Sequence, residues 1–511
     1  MKSLCLAIAG VVFCPAVAHT ATDLVLAIGG EPETGFDPML GWGSYGNPLF
    51  QSTLLKRDAA LETQPDLATK WVLSDDRLTW TITLRDDVTF SDGTPLTARD
   101  VAFTFERAKA SPGTHDLTMM DTAHALDATT VQITLARPWI TFVETFYSLG
   151  IVPAANYGPD YGRNPLGSGP FRLVSWSEGE QLIVEKNPRY YGDAGAFERI
   201  TFLFTGSDVR LLAAQAGIVD MVAVPAQAAD AVPEGFYARA VQSVDNRGLS
   251  LPFPPPREVD GRKIGNAVTS DPAIRRAINL WLDRDLITEV ALNGHGTPAF
   301  SPADGLPWAG ATDTIIHDPK AAEALLDQAG WIKGPDGTRQ KDGVRAAFPI
   351  NYPSADPTRQ ALAEIVAELL RPLGIAATAT GGSWDSINRV MHSEPVLFGF
   401  GSHSPFELYS LHAAKLGGVG YMNPSYYENQ KVEALFTQAQ SAPSLEASFP
   451  FWAEAAQTYG GQGDNAWAWL VNLDHVYFVD TCLDLGAMQI EPHGHGWPIT
   501  ATLTDWRWTC D

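Results

Sequence analysis

Residues 78–108, LTWTITLRDDVTFSDGTPLTARDVAFTFERA, carry the reading of the whole chain. Apolar and polar residues alternate from Leu78 to Leu84, the period of a half-buried strand. A second short strand follows, then a tight turn at Ser91-Asp92-Gly93. Thr97 is placed to cap a helix, with Asp100 three residues on completing a capping box. Val101, Phe105 and Ala108 then share one helical face. Strand, turn and capped helix in succession predict an α/β unit.

Working outward, strand-like and helix-like segments alternate along all 511 residues, too many for one simple core, so two or three lobes are expected. DLVLAIG at 23–29 opens as a strand, and the Gly- and Pro-rich loop after it is expected to run into an amphipathic helix ending near Asp58. Gly167-Ser168-Gly169-Pro170-Phe171 permits close backbone approach, to a ligand or to another segment. VQSVDNRGLSLPF at 241–253, followed by three prolines, reads as a crossing into a second lobe. SDPAIRRAINLWLDRDLI then gives a helix with Ser270 as cap and Pro272 in its first turn, and a further helix runs from Pro319 to Gly330. A return near Val476 makes a second crossing, and two crossings make a hinge.

The first 21 residues have a basic start at Lys2, an apolar run from Leu4 to Phe13 and the small-x-small pattern Ala16-Val17-Ala18. That pattern predicts a cleaved secretory signal and a periplasmic location. Its loss removes Cys5 and Cys14, and the remaining Cys482 and Cys510 most simply form one disulfide. It also leaves 34 basic against 59 acidic residues, a net charge of −25. Such a surface disfavours nucleic acid and anionic lipid as partners.

Catalytic motifs are missing: no Walker loop, HExxH, GxSxG elbow or CxxC is present, and neither an enzyme nor a required cofactor is expected. Two histidine clusters stand out, His493-Gly494-His495 and the pair His403 and His412 in FGFGSHSPFELYSLHAAKLGGVGYMN at 398–423.

The wording of residues 78–108 resembles the signature of the family 5 extracytoplasmic solute-binding proteins, the peptide, dipeptide and nickel receptors of ATP-driven importers, and the likeness runs from about Asp23 to the end. It implies an α/β, two-lobe periplasmic-binding-protein-like fold (type II, large cluster) with an extra subdomain inserted in lobe I. The implied division is signal peptide 1–21, lobe I 22–65, inserted subdomain 66–166, lobe I again 167–248, lobe II 249–475, and a C-terminal return to lobe I at 476–511. The loops at 41–58 and 150–171 and the tail PHGHGWP look closest to the nickel-receptor branch. The implied cargo is Ni(II) held by a small chelator such as histidine or a metallophore, with a dipeptide or short peptide as the alternative. The implied partner is an ABC permease with its ATPases, met by a monomeric receptor. A ligand sensor or chaperone-like accessory is the rival from another class.

By the resemblance, the 398–423 segment faces the cleft, which makes His403 and His412 the candidate metal ligands and Tyr409, Tyr421 and Asn423 candidate ligand contacts. Dipeptide receptors carry there a Trp and an acidic residue for the ligand's amino group; this chain has Ser402-His403-Ser404-Pro405-Phe406. The nickel receptor's chelate-gripping Arg is replaced by Ser148-Leu149-Gly150. Arg247, beside Asn246, is expected to grip a carboxylate instead. Trp42 and Tyr45 are expected to cover the ligand with aromatic faces.

Overall fold

Two long strands tie the molecule together. In the computed structural model, which describes residues 22–46, 49–111, 115–310, 314–494 and 496–510, they are Phe236–Ser250 and Trp467–Asp480. The leader at 1–21 and His495 lie outside the described residues.

In chain order the strands that matter are β1 (Asp23–Ala27), β2 (Ala68–Leu73), β3 (Thr79–Leu84), β4 (Met120–Ala125), β5 (Thr130–Leu135), β6 (Phe171–Ser177), β7 (Gln181–Lys186), β8 (Arg199–Leu203), β9 (Met221–Val224), β10 (Phe236–Ser250), β11 (Gly296–Pro298), β12 (Ala347–Pro353), β13 (Ala376–Gly382), β14 (Val396–Phe400) and β15 (Trp467–Asp480). The helices are α1 (Ala98–Lys109), α2 (Ser207–Gln215), α3 (Pro272–Trp281), α4 (Pro357–Leu373), α5 (Phe406–His412) and α6 (Leu445–Tyr459). Eleven strands form one sheet in the order β13-β12-β14-β10-β15-β9-β1-β8-β7-β6, with β11 pairing β15. A separate sheet, β2-β3-β5-β4, with α1 packed on β4 and β5, forms the subdomain that the 78–108 stretch opens.

The pairing of β10 with β15 is interrupted between Gln242 and Asn246. On one side of this bulge β15 joins β9 and the near-lobe strands; on the other, β10 joins β14 and the far-lobe strands. The pairing passes from one half of the sheet to the other at 243–245. A bulge bends and twists a strand pair, so the crossing is where the two halves of the sheet turn relative to each other.

The α1 capping box forms as read, Thr97 N donating to Asp100 Oδ2 at 2.9 Å. Three local expectations change. The second short strand after Leu84 is a single bridge, Thr89 to Pro95. The cap of α3 is Asp271, whose Oδ1 takes the Ala273 N–H at 2.9 Å; Ser270 is displaced because the carboxylate beside Pro272 reaches that N–H. The amphipathic helix expected before Asp58 does not form. Residues 49–54 are buried on every side, leaving no solvent face for such a helix, and only Leu55–Arg57 is regular, as a short strand. Gly167 and Gly169 explain that segment: a Cβ on Gly167 would lie 2.0 Å from the Phe50 carbonyl oxygen, and Gly169 N donates to that oxygen at 2.7 Å. The glycine cluster serves backbone approach to residues 49–50.

Cys482 and Cys510 are joined, which pins Trp506, itself fully buried, under the near lobe. The bond closes a 28-residue separation; by the loop-entropy estimate it contributes roughly 3–4 kcal/mol. Replacing both cysteines with serine is expected to lower near-lobe stability by about that amount in denaturant unfolding, with ligand affinity unchanged.

Candidate functional site

A cleft of about 1090 Å³ lies between the lobes, just above the roughly 300–1,000 Å³ usual for small-molecule sites. The near lobe contributes Trp42 and Tyr45, from the loop after β1, and Trp497; the rings of Trp42 and Trp497 meet edge-on at 5.1 Å. The far lobe contributes Trp384, Phe398, Phe400 and Tyr421. Trp384 stacks on Phe398 at 6.1 Å and meets Tyr421 at 5.4 Å. Such walls desolvate a ligand while leaving edge and face geometry to orient it.

Between those rings two guanidinium groups share one residue. Arg247 on β10 stands opposite Gly399 on β14. Arg359 lies in the first turn of α4, where Asp356 both caps the helix, accepting Arg359 N at 2.9 Å, and ion-pairs with the Arg359 side chain. A Cβ on Gly399 would fall 2.5 Å from Arg247 Nη1 and 2.7 Å from Arg359 Nη2. The missing side chain is what lets both guanidiniums crowd against β14, where Arg359 lines the cleft and Arg247 lies behind it. Burial, reinforced by the Arg247 charge, pushes Arg359 down to about 10, and its Nε has no hydrogen-bond partner. Two buried like charges, each matched by one aspartate, favour an incoming anion, and a fork of N–H donors suits a carboxylate.

Behind this pair lies the bulge. Asp245, buried at its centre, takes Arg247 and His493 Nδ1 (2.8 Å) on Oδ1 and His475 Nε2 (3.2 Å) on Oδ2. His475 Nδ1 meets Glu491 Oε2 at 2.5 Å, and Tyr477 donates to the same oxygen at 2.8 Å. Burial opposes charge on His475, but its hydrogen bonds to Asp245 and Glu491 prevail and push it up to about 10. Burial opposes charge on Asp245 too, yet Arg247 and His493 hold it ionised well below the usual carboxylate range. The crossing is therefore a charged hub, with Arg247 on the far-lobe side and His475 and His493 on the near-lobe side.

Of the residues expected from sequence, Trp42, Tyr45 and Tyr421 line the cleft and Arg247 backs it. Four others do not. Asn246 is fully buried and braces the bulge, its amide reaching the Val244 carbonyl at 3.3 Å and accepting Phe400 N at 3.3 Å. Asn423 is fully buried at φ 35° and fastens its own loop, donating to the Ala413 and Tyr427 carbonyls at 3.0 and 2.9 Å. Tyr409 and His412 sit one turn apart on α5 and so share a face, which turns to the core. Tyr409 packs on Trp139 and Phe436, and His412 stacks on Tyr459 at 3.5 Å with Nδ1 at 3.0 Å from the Leu408 carbonyl. Burial pushes His412 down to about 3, so it is a neutral core histidine. His403 lies in a smaller adjoining cavity.

Sequence reasoning passed over Arg359, Trp384, His475 and the Phe398-Gly399-Phe400 triplet. The last carried a readable signal, a glycine between two aromatics on an otherwise apolar strand, where the absence of a side chain needs a reason.

These groups set a pH profile. His412 and His403, each pushed by burial to about 3, contribute stability that is complete above their unfolded value of about 6.5 and lost as pH falls towards 3. His475, raised to about 10, contributes stability that is complete below about 6.5 and lost as pH rises through 10. Glu407, raised by burial to about 8, contributes stability that is complete below about 4.5 and lost as pH rises through 8. Stability is expected to peak near neutrality. A His412→Phe chain, keeping the ring stack, should lose stability less steeply on the acid side when the melting temperature is followed from pH 7 to pH 4.

Residues 62–403 match the family model described as bacterial extracellular solute-binding proteins, family 5 Middle. Protein XP55 of Streptomyces lividans is 32% identical over 490 residues, 93% of this chain and 88% of its own. The probable D,D-dipeptide-binding periplasmic protein DdpA of Escherichia coli K12 is 28% identical over 460 residues, 83% and 84% of the two chains. Among solved structures, NikZ from Campylobacter jejuni in complex with Ni(L-His) superposes with a TM-score of 0.81 at 24% identity, covering 96% of this chain and all of that one. AppA from Bacillus subtilis with a nonapeptide superposes at 0.76 and 21%, covering 96% and 99%. At these identities the structural likeness establishes the fold.

Proposed function

The chain belongs to family 5 of the bacterial extracellular solute-binding proteins, the substrate receptors of ABC importers, and on that premise we propose that its cargo is a small organic solute bearing a free carboxylate. The observation that carries this reading is the pair of guanidiniums over Gly399, set in an aromatic cleft between the lobes.

Two cargoes present such a group. One is Ni(II) held by histidine or a metallophore-type chelator; NikZ, whose fold this chain shares, is complexed with Ni(L-His). The other is a short peptide, in keeping with the dipeptide-binding name of DdpA. Among the described residues no group of three or more His, Cys, Asp or Glu side chains could hold a metal ion. Both ring nitrogens of His475 are engaged. Nickel as cargo therefore has to arrive already chelated.

The mechanism needs no covalent step. The open receptor takes the ligand on the Arg247–Arg359 pair, the lobes turn about the 243–245 bulge, and Trp42, Trp497 and Trp384 exclude water. The closed, monomeric receptor then docks on an ABC permease, whose ATPases drive import.

Calorimetric titration of the mature protein with Ni(II) alone, Ni(II) plus excess L-histidine, and a dipeptide library tests this. Binding of at least one carboxylate-bearing ligand, with none of Ni(II) alone, is expected. Tight binding of Ni(II) without chelator, or binding only of ligands lacking a carboxylate, would sink the proposal.

A further inference from the structure

One cation of the cleft has no carboxylate to answer it. Arg210 lies on α2, which packs on β9 in the near lobe, and it lines the same cleft that Arg359 lines from the far lobe. Its Nε donates to the Thr205 carbonyl at 3.1 Å, which ties the base of the guanidinium to the start of its own helix. Among the described residues no hydrogen bond or ion pair engages its two terminal nitrogens, and neither is sealed off from solvent. The side chain is half-buried, and burial pushes the guanidinium down from its ordinary value. The group that acts on its charge is the Tyr477 phenol, itself held neutral by burial.

The acids that line the cleft do not supply the missing charge. Glu31 commits one carboxylate oxygen to Trp176 Nε1 at 2.5 Å and the other to Gly179 N at 2.9 Å. Asp474 stands in the field of His295 and His475, and Glu33 is exposed. Arg247 and Arg359 each pair with an aspartate, whereas Arg210 pairs with none among the described residues. A cation drawn partly out of water without a counter-charge costs stability, and such unmatched groups in clefts concentrate at ligand sites. The two free terminal nitrogens present the forked donors that suit a carboxylate.

We infer that Arg210 is a second anion anchor, and that the cargo carries two carboxylates, one met by Arg359 in the far lobe and the other by Arg210 in the near lobe. The inference rests on the carboxylate reading above and narrows it from one acidic group to two. It also gives lobe closure a cause. A single carboxylate on Arg359 holds one lobe only. A ligand with two reaches its second anchor by touching both lobes, and so favours the closed arrangement over the open one. Both cargo classes considered above contain such molecules. One is a peptide with an acidic side chain beside its terminal carboxylate; the other is Ni(II) chelated by two histidines, each presenting a carboxylate.

The test is calorimetric titration of the mature wild-type, Arg210→Gln, Arg210→Lys and Arg359→Met chains. The ligands are dipeptides in matched pairs ending in Glu or Gln, and Ni(II) in excess L-histidine or in excess histamine, which lacks the carboxylate. At least one two-carboxylate ligand is expected to bind, about tenfold more tightly than its less acidic partner. That is the lower end for a charge-assisted bond, because Arg210 is only half-buried. Arg210→Gln keeps a donor for the Thr205 carbonyl and removes the charge. It should weaken the two-carboxylate ligand and leave a Gln-ended dipeptide unmoved, a split that a merely structural role would not produce. Arg210→Lys should recover part of the preference. Melting curves check folding, and the wild-type comparison stands whether or not Arg210→Gln folds. Equal binding of each ligand and its less acidic partner, or a preference that Arg210→Gln leaves intact, overturns the second anchor. If those ligands are then lost in Arg359→Met, the carboxylate reading survives it. A preference that depends on Arg210 and ignores Arg359 overturns the carboxylate reading and keeps Arg210. No binding in any arm overturns both.

Discussion

Asp245→Ala is expected to be the most damaging single change in this protein, lowering folding stability by roughly 3–5 kcal/mol, the usual loss when one partner is taken from a buried ion pair. The size follows from what remains. Arg247 would keep its charge in a buried position, with Arg359 as a like-charged neighbour, and His475 would lose one of the two carboxylates that hold its imidazolium. Asp245→Asn keeps the shape and one acceptor but not the charge, so it should fall between wild type and alanine. Because the hub sits on the bulge where β10 and β15 change lobe, both variants should also broaden lobe closure, seen as a larger radius of gyration in X-ray scattering of the liganded protein. Wild-type stability in Asp245→Ala would remove the hub from the account of this fold.

Arg359→Met is expected to have the largest effect on binding, weakening any carboxylate-bearing ligand about 10–100-fold, the range for losing a charge-assisted hydrogen bond of about 1.5–3 kcal/mol. Unlike Asp245, Arg359 should leave stability nearly unchanged or raise it. Its removal relieves repulsion with Arg247, and what is lost is its pairing with Asp356, outside the hub, and its contact 5.9 Å over the Trp384 ring. Arg359→Lys should recover only part of the affinity, because one ammonium cannot present two parallel donors. Titration calorimetry beside melting curves separates the two effects, and unchanged affinity in Arg359→Met would reject Arg359 as an anchor.

Much of the fold was legible because its signals are local. The 78–108 stretch forms β3 and the capped helix α1 through contacts within a few residues of one another. The disulfide needed only the count of cysteines outside the first 21 residues, which is two. Trp42 and Tyr45 could be placed because a Gly-rich loop after an edge of buried strand has to run over the surface. His412 and Tyr409 were placed at the cleft by the resemblance; their spacing shows that they share a helical face but not where that face turns, and packing of α5 on Tyr459 and Trp139 turns it inward.

Sequence by itself determined the α/β class, written in periodicity, caps and turns between near neighbours in the chain, and the family, through the resemblance that the wording of residues 78–108 carries. The site was decided by tertiary structure alone. Arg247 and Arg359 are 112 residues apart and meet only because β10 pairs with β14 at Gly399. Asp245 meets His475 and His493 from 230 and 248 residues away. Charges so distant interact only once folding has removed the water between them and lowered the dielectric around them.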